Sequence, residues 1–147
     1  MRIEIDTGSR LDQSGDTTFA FSDDIQRAIL VRQTVRDRCL QALGGERLSK
    51  ELRIFAACVY LLIRDYLEKV DELRIDREYT GHEGDIKKML LNLIWKFSDS
   101  DFPSEKIRIE KIKERGLAHE VAWRTRRKER RPDEIIEAQA ILSLLIP

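Results

Sequence analysis

Five side chains of this sequence could together act on a phosphate ester: Asp6, Asp76, Glu78 and His119 as ligands of a divalent cation, with Glu120 beside His119 to serve an attacking water. Asp6 closes the alternating run Arg2-Ile3-Glu4-Ile5-Asp6 and is followed at once by Thr7-Gly8-Ser9, so a strand would fix it while its oxygens face solvent. Asp76 and Glu78 leave a second alternating run, Glu72-Leu73-Arg74-Ile75-Asp76, and share one side of it where the chain stays extended. If the two strands are parallel neighbours, about 4.8 Å apart, Asp6 meets Asp76 or Glu78 at one sheet edge. Carboxylates that close repel one another unless a cation lies between them, and hard oxygen donors suit Mg2+ or Mn2+. Such ions bind phosphate oxygens, activate water and stabilise a leaving group. The plain alternative is a solvated turn in which Asp76-Arg77-Glu78 pairs with Arg74 or Lys69.

His119 sits in Gly116-Leu117-Ala118-His119-Glu120-Val121-Ala122-Trp123. In the first turn of a helix it could face the strand ends, where a neutral imidazole ligates metal or orients water. Glu120 is the carboxylate candidate on the same turn, and a surface or capping histidine is the alternative role for His119. His82, in Thr80-Gly81-His82-Glu83-Gly84, reads as a residue at a helix N-terminus.

These residues need a scaffold, and the patterning supplies one. Residues 2–6, 16–22 and 26–31 alternate or are β-branched and aromatic, with turn formers between them, which predicts a three-stranded antiparallel meander. Helices are predicted over 34–43, stopped by Gly44-Gly45, and over 49–70, with Ser49 as cap and an apolar stretch from Ile54 to Ile63. A fourth strand covers 72–76 and a helix 83–97, where Ile86, Met89, Leu90, Leu93, Ile94 and Phe97 form one stripe. A fifth strand covers 106–112, a helix runs from Leu117 to about Arg130, and Pro132 with Asp133 and Glu134 starts an apolar-rich terminal helix over 135–146. Strands separated by a helix should lie parallel through right-handed crossovers, so the sheet is mixed and five-stranded.

The 147 residues fit one domain, spanning 1–147. The apolar run 54–63 is half a membrane span, bracketed by Arg53 and Arg64, and the charged N-terminal run is unlike a secretory signal. Cys39 and Cys58 lack paired spacing and read as buried thiols, which points to the cytoplasm. Lys/Arg and Asp/Glu balance at 27 each, but residues 111–131 hold nine basic residues against three glutamates. Clustered cations of this kind suit a polyanion, with Lys113, Arg115, Arg124, Arg126, Arg127 and Lys128 as candidate phosphate contacts. A solvated helix face laced with Glu/Arg pairs is the alternative. Tyr79 and Trp123 are the candidate aromatics for stacking bases, too few for a reader of RNA loops, which favours DNA over RNA.

Ile5-Asp6-Thr7-Gly8-Ser9-Arg10 resembles the opening of RuvC-type Holliday-junction resolvases, whose first strand ends Ile-Asp-Pro-Gly-Ser-Arg. The element order is similar to that of the ribonuclease H fold. Ile75-Asp76-Arg77-Glu78-Tyr79 is similar to the family's strand-four Ile-Glu-x-x-Phe, and residues 116–122 are similar to its last helix, Asp-Ala-Ala-Asp-Ala-Leu-Ala. The resemblance implies a ribonuclease H-like domain with two-metal, structure-selective nuclease or resolvase chemistry, and it places His119 where the family has its final acid. Thr7 replaces the proline and Gly116 replaces a carboxylate. A non-catalytic interaction or nucleic-acid-binding module with a decayed site, its apolar tail 135–146 mediating a homodimer, is the competing expectation.

Overall fold

A computed structural model describes residues 1–112 and 116–147. Strand β1 (Arg2–Thr7) pairs antiparallel with β2 (Thr17–Ser22), and β2 with β3 (Gln26–Val31). Helices α1 (Gln33–Ala42) and α2 (Arg47–Ile63) follow, then a 3-10 turn (Arg64–Lys69) that delivers the chain to β4 (Glu72–Asp76). After α3 (Glu83–Phe97) come β5 (Ile107–Glu110), α4 (Leu117–Arg126), a two-residue strand β6 (Glu134–Ile135) and α5 (Ala138–Leu145). The sheet order is β5-β4-β1-β2-β3-β6, with β4 parallel to β1 and to β5.

Alternation along the strands divides the molecule into layers. Ile3, Ile5, Phe19, Phe21, Ile29, Leu73, Ile75 and Ile107 point to one face and merge with α2, whose residues from Ile54 to Ile63 are all buried. The helix is apolar all round because α1, α3 and α5 pack against its outer side. The opposite face carries small residues, and there Ala20 and Ala28 meet Val121 and Ala122 of α4. Glu4 and Asp6 alternate with Ile3 and Ile5 and so belong to this second face, beneath the start of α4.

Several boundaries differ from those the sequence predicts. The sheet has six strands, not five: the segment expected to open the last helix instead pairs with β3, Ile29 opposite Glu134 and Leu30 opposite Ile135. The outer edge of β3 offers unpaired peptide groups. Asp133 answers both of those on Ala28, its carboxylate accepting from the Ala28 N–H at 2.7 Å and its own N–H donating to the Ala28 carbonyl at 2.8 Å. Helix α2 begins at Arg47 after Glu46, so Ser49 lies inside it and does not cap it. Its expected C-terminal third is the 3-10 turn, a common tightening where a helix must end. Helix α4 stops at Arg126 because Lys128 enters the left-handed region (φ 64°). The Glu129 N–H then reaches the Arg124 carbonyl at 2.8 Å and the Lys128 N–H that of Thr125 at 3.2 Å. That is a Schellman stop with lysine in the place glycine usually takes.

Cys39 and Cys58 are buried and free, and desolvation pushes both thiols up, Cys39 to about 11. No helix among the described residues is long and apolar enough to cross a membrane.

The close seat of α4 depends on Gly8. A Cβ there would lie 2.1 Å from Thr18 Oγ1 and 3.1 Å from the Ala122 carbonyl oxygen, the two atoms already joined by a 2.9 Å hydrogen bond. Gly8→Ala must therefore push α4 off the sheet, and we expect a loss of about 1–3 kcal/mol, the usual range for overpacking, read as a lower midpoint in urea denaturation.

Candidate active site

The parallel register of β1 and β4 sets Ile5 opposite Ile75, so the carboxylates that follow leave the sheet side by side. Asp6, Asp76 and Glu78 each offer an oxygen, and these three atoms lie within 4.8 Å of one another. The solvated-turn alternative does not hold. Arg74 is taken by Glu4 and Glu110, at 2.8 Å each, and Arg77 pairs with Glu83 at 3.6 Å.

Each acid is held by a specific donor. The Thr7 N–H donates to Asp6 Oδ1 at 2.8 Å, and the Thr7 hydroxyl donates to Glu78 Oε1 at 2.7 Å. Asp76 Oδ1 accepts from the Ile112 N–H at 3.0 Å, just beyond β5. From across the cleft, His119 Nδ1 stands 2.6 Å from Asp6 Oδ2. With Asp6 ionised the ring nitrogen is the donor, which fixes the tautomer and leaves Nε2 to accept a proton.

The expected first-turn placement of His119 is thus observed, and α4 explains it. Ala118, Val121, Ala122 and Thr125 are buried against the sheet, and His119, next to Ala118, reaches the end of β1. Glu120 is not part of this group: it is exposed and pairs with Arg124 at 2.8 Å on the outer side of α4. Gly116 brings no carboxylate, and a Cβ built there would stand 3.2 Å from Glu4 Oε2. The cleft has a volume of about 460 Å³, and Arg10, Lys111 and Trp123 line it together with the acids and His119.

Thr7 is the contributor that sequence reasoning missed. It stands in the sequence only as the departure from a proline, yet proline has neither the N–H that holds Asp6 nor a hydroxyl for Glu78. The signal was the residue type itself, one donor on the backbone and one on the side chain.

The expected basic contacts divide. Lys113 and Arg115 lie outside the described residues. Arg124 is engaged by Glu120, and Arg127 lies 3.7 Å from Glu129. Arg126 rests over the Trp123 ring at 5.9 Å, and Lys128 is exposed in its left-handed turn. Tyr79 is no stacking surface, because it is 4% exposed, edge-on to Phe55 and covered by Arg10 at 5.1 Å.

Electrostatics favour a cation. Burial pushes the Asp6 carboxyl above its ordinary value of 3.8, opposed by the His119 and Thr7 hydrogen bonds, with the Asp76 charge raising it further. Burial likewise raises Glu78 above 4.5, opposed by the Thr7 hydroxyl and by Arg10, with Asp76 and Asp6 adding repulsion. Three crowded carboxylates, with the proton affinity of Asp6 and Glu78 lifted, have the donor set and the charge to hold a divalent ion.

No protein-family model, curated protein or solved structure matches the chain significantly.

A stability consequence follows with a definite sign. A carboxyl whose folded value is raised costs nothing while both states are protonated, and destabilises the fold as pH climbs from the unfolded value through the folded one. Glu78→Gln keeps an oxygen for the Thr7 hydroxyl and removes the charge. In EDTA its Tm should match or trail that of the wild type near pH 4 and exceed it progressively at higher pH. A Tm difference that stays constant with pH would show that neither burial nor the neighbouring acids lift the Glu78 carboxyl.

Proposed function

We propose that this protein is a metal-dependent, structure-selective nuclease or resolvase-like protein of the ribonuclease H type, acting on nucleic-acid phosphodiesters with Mg2+ or Mn2+. The observation that carries this reading is the convergence of Asp6, Asp76 and Glu78 from two parallel neighbouring strands, with His119 hydrogen-bonded to Asp6. Three antiparallel strands followed by two parallel ones is also the arrangement that the ribonuclease H resemblance implies.

A divalent ion held by these carboxylates would neutralise phosphate oxygens and lower the pKa of an attacking water. The chain's own residues do the rest. Thr7 keeps Asp6 and Glu78 in register with each other, and Asp6 orients His119 through Nδ1. His119 Nε2 is then the atom to accept a proton from water, general-base work worth roughly 10²–10⁴-fold. Arg10 and Lys111 at the cleft and the cations at the end of α4 would position the phosphate backbone without reading sequence. DNA is the favoured substrate.

The competing reading, a binding module whose site no longer turns over, draws on Gly116 and on the outward pairing of Glu120. Two measurements test the site, and the first separates the two readings. Labelled branched and linear DNA incubated with Mn2+ should be cleaved by the wild type and left intact by Asp6→Asn, with His119→Gln slower by roughly 10²-fold. Equal cleavage by wild type and Asp6→Asn would mark contamination and remove the enzymatic reading.

The second is a thermal titration. Mn2+ should raise the Tm of the wild type, by about 2.7 kcal/mol of stability at a hundredfold excess over Kd. Thr7→Val should need roughly tenfold more Mn2+ for the same rise, the equivalent of one charge-assisted hydrogen bond, while Thr7→Ser behaves as wild type. An unshifted Thr7→Val curve would detach Thr7 from the cation.

A further inference from the structure

The cleft has one element that the carboxylates do not use. Trp123 follows His119 by one turn of α4, its ring edge-on to the imidazole with centroids 5.9 Å apart and planes at 63°. It lines the cleft and is 36% exposed, although indole is among the most costly surfaces to leave in water. Its orientation is fixed from both sides. His119 is tied to Asp6, and the Arg126 guanidinium lies over the indole at 5.9 Å while its Nε reaches back to the Asp16 carbonyl at 3.4 Å. An anchored, partly exposed aromatic one ring away from the acids, with the cations Arg10 and Lys111 lining the same cleft and Arg126 against the indole, has the make-up of a stacking platform for nucleic acid.

We infer that Trp123 is the specificity-determining residue of this site, stacking an unpaired DNA base next to the phosphate that a cation at the carboxylates would hold; the inference rests on the nuclease reading for what lies in the cleft. In an intact duplex both faces of each base are covered by neighbours, so the platform meets no free face unless a base is first extruded, at a cost of a few kcal/mol. At a branch, nick, flap or single-stranded tract that cost is already met. Selectivity for substrate shape then comes from one side chain, and sequence plays little part because every base has a π-face. Trp123 thereby supplies the shape discrimination that the carboxylates, which see only phosphate, do not.

The test separates binding from cleavage. Trp95, the other tryptophan, is on α3 at the surface, so Trp95→Phe leaves Trp123 as the single tryptophan, whose emission is excited selectively over that of the tyrosines. In a Trp95→Phe/Asp6→Asn double variant with EDTA present, branched DNA bearing unpaired nucleotides should quench Trp123, and a fully paired duplex of equal length and charge should not. Replacing the unpaired nucleotides by abasic ones should abolish the quench. In an otherwise native chain, Trp123→Ala should weaken binding of the branched probe by roughly 5- to 150-fold, the span of one base–aromatic stack. Its affinity for duplex should be unchanged, and Trp123→Tyr should restore most of the branched preference.

Quenching without any metal-dependent cleavage would sink the enzymatic reading and leave the platform standing. Cleavage by the native protein with a branched-to-duplex preference unaltered in Trp123→Ala, or equal quenching by duplex, would overturn the platform and leave the enzyme. A Trp123→Leu variant that keeps apolar contact and also keeps the preference would show the indole to be packing alone, and would overturn the proposal as well.

Discussion

The parallel ladder between β1 and β4 is the constraint on which the cleft depends. Like charges separated by less than 5 Å fly apart if the backbone permits, and here it does not, because both strands lie inside the sheet with partners on either side. Ile3 and Ile5 on β1, and Leu73 and Ile75 on β4, are each 1% exposed or less, so a one-residue slip of either strand would exchange buried isoleucine or leucine for charge. Hydrophobic burial on one face thus fixes the position of repelling charge on the other. Arg10 offsets part of this at Glu78, but the arginine on β4 gives no help, being already shared between two glutamates farther down the sheet.

The second requirement is depth on the α4 side. Ala20 and Ala28 leave room for a helix to sit low, Gly8 removes the last obstacle, and the Thr18 hydroxyl is bonded to the helix backbone. Only with α4 that close does the imidazole span to the end of β1. The strand turn and the helix therefore act as one unit, in which a glycine on one element sets the position of a histidine far along the chain. Thr7 completes the unit by tying the end of β1 to the residue that leaves β4.

Much of this was legible in the sequence, and the reasons differ by element. β3, β4 and α3 have the bounds that the residue patterns predict, although Phe97, expected on the apolar stripe of α3, is exposed at the end of that helix. Asp6, Asp76 and His119 could be placed because period-two alternation and a first-turn position fix direction without knowledge of tertiary contacts. What failed depended on distant partners. Glu120 carries the right chemistry on the wrong side of α4, and neighbouring residues of a helix point about 100° apart. Tyr79 reads as surface in sequence but fills the aromatic core beside Phe55. Residues 133–135 look like a helix start, since acids and a preceding proline suit one, and only the unpaired edge of β3 recruits them as strand.

That added strand has a wider effect on how the molecule meets copies of itself. One outer rim of the sheet is closed by β6 and the Asp133 bridge, and the other is the four-residue β5, whose Arg108 and Glu110 place charge along it. Short, charged or covered rims do not template further strands. Growth by sheet extension is thereby disfavoured at both rims. Contact between molecules is left to helical surfaces, where the half-buried leucines of α5 and the exposed Ile146 lie.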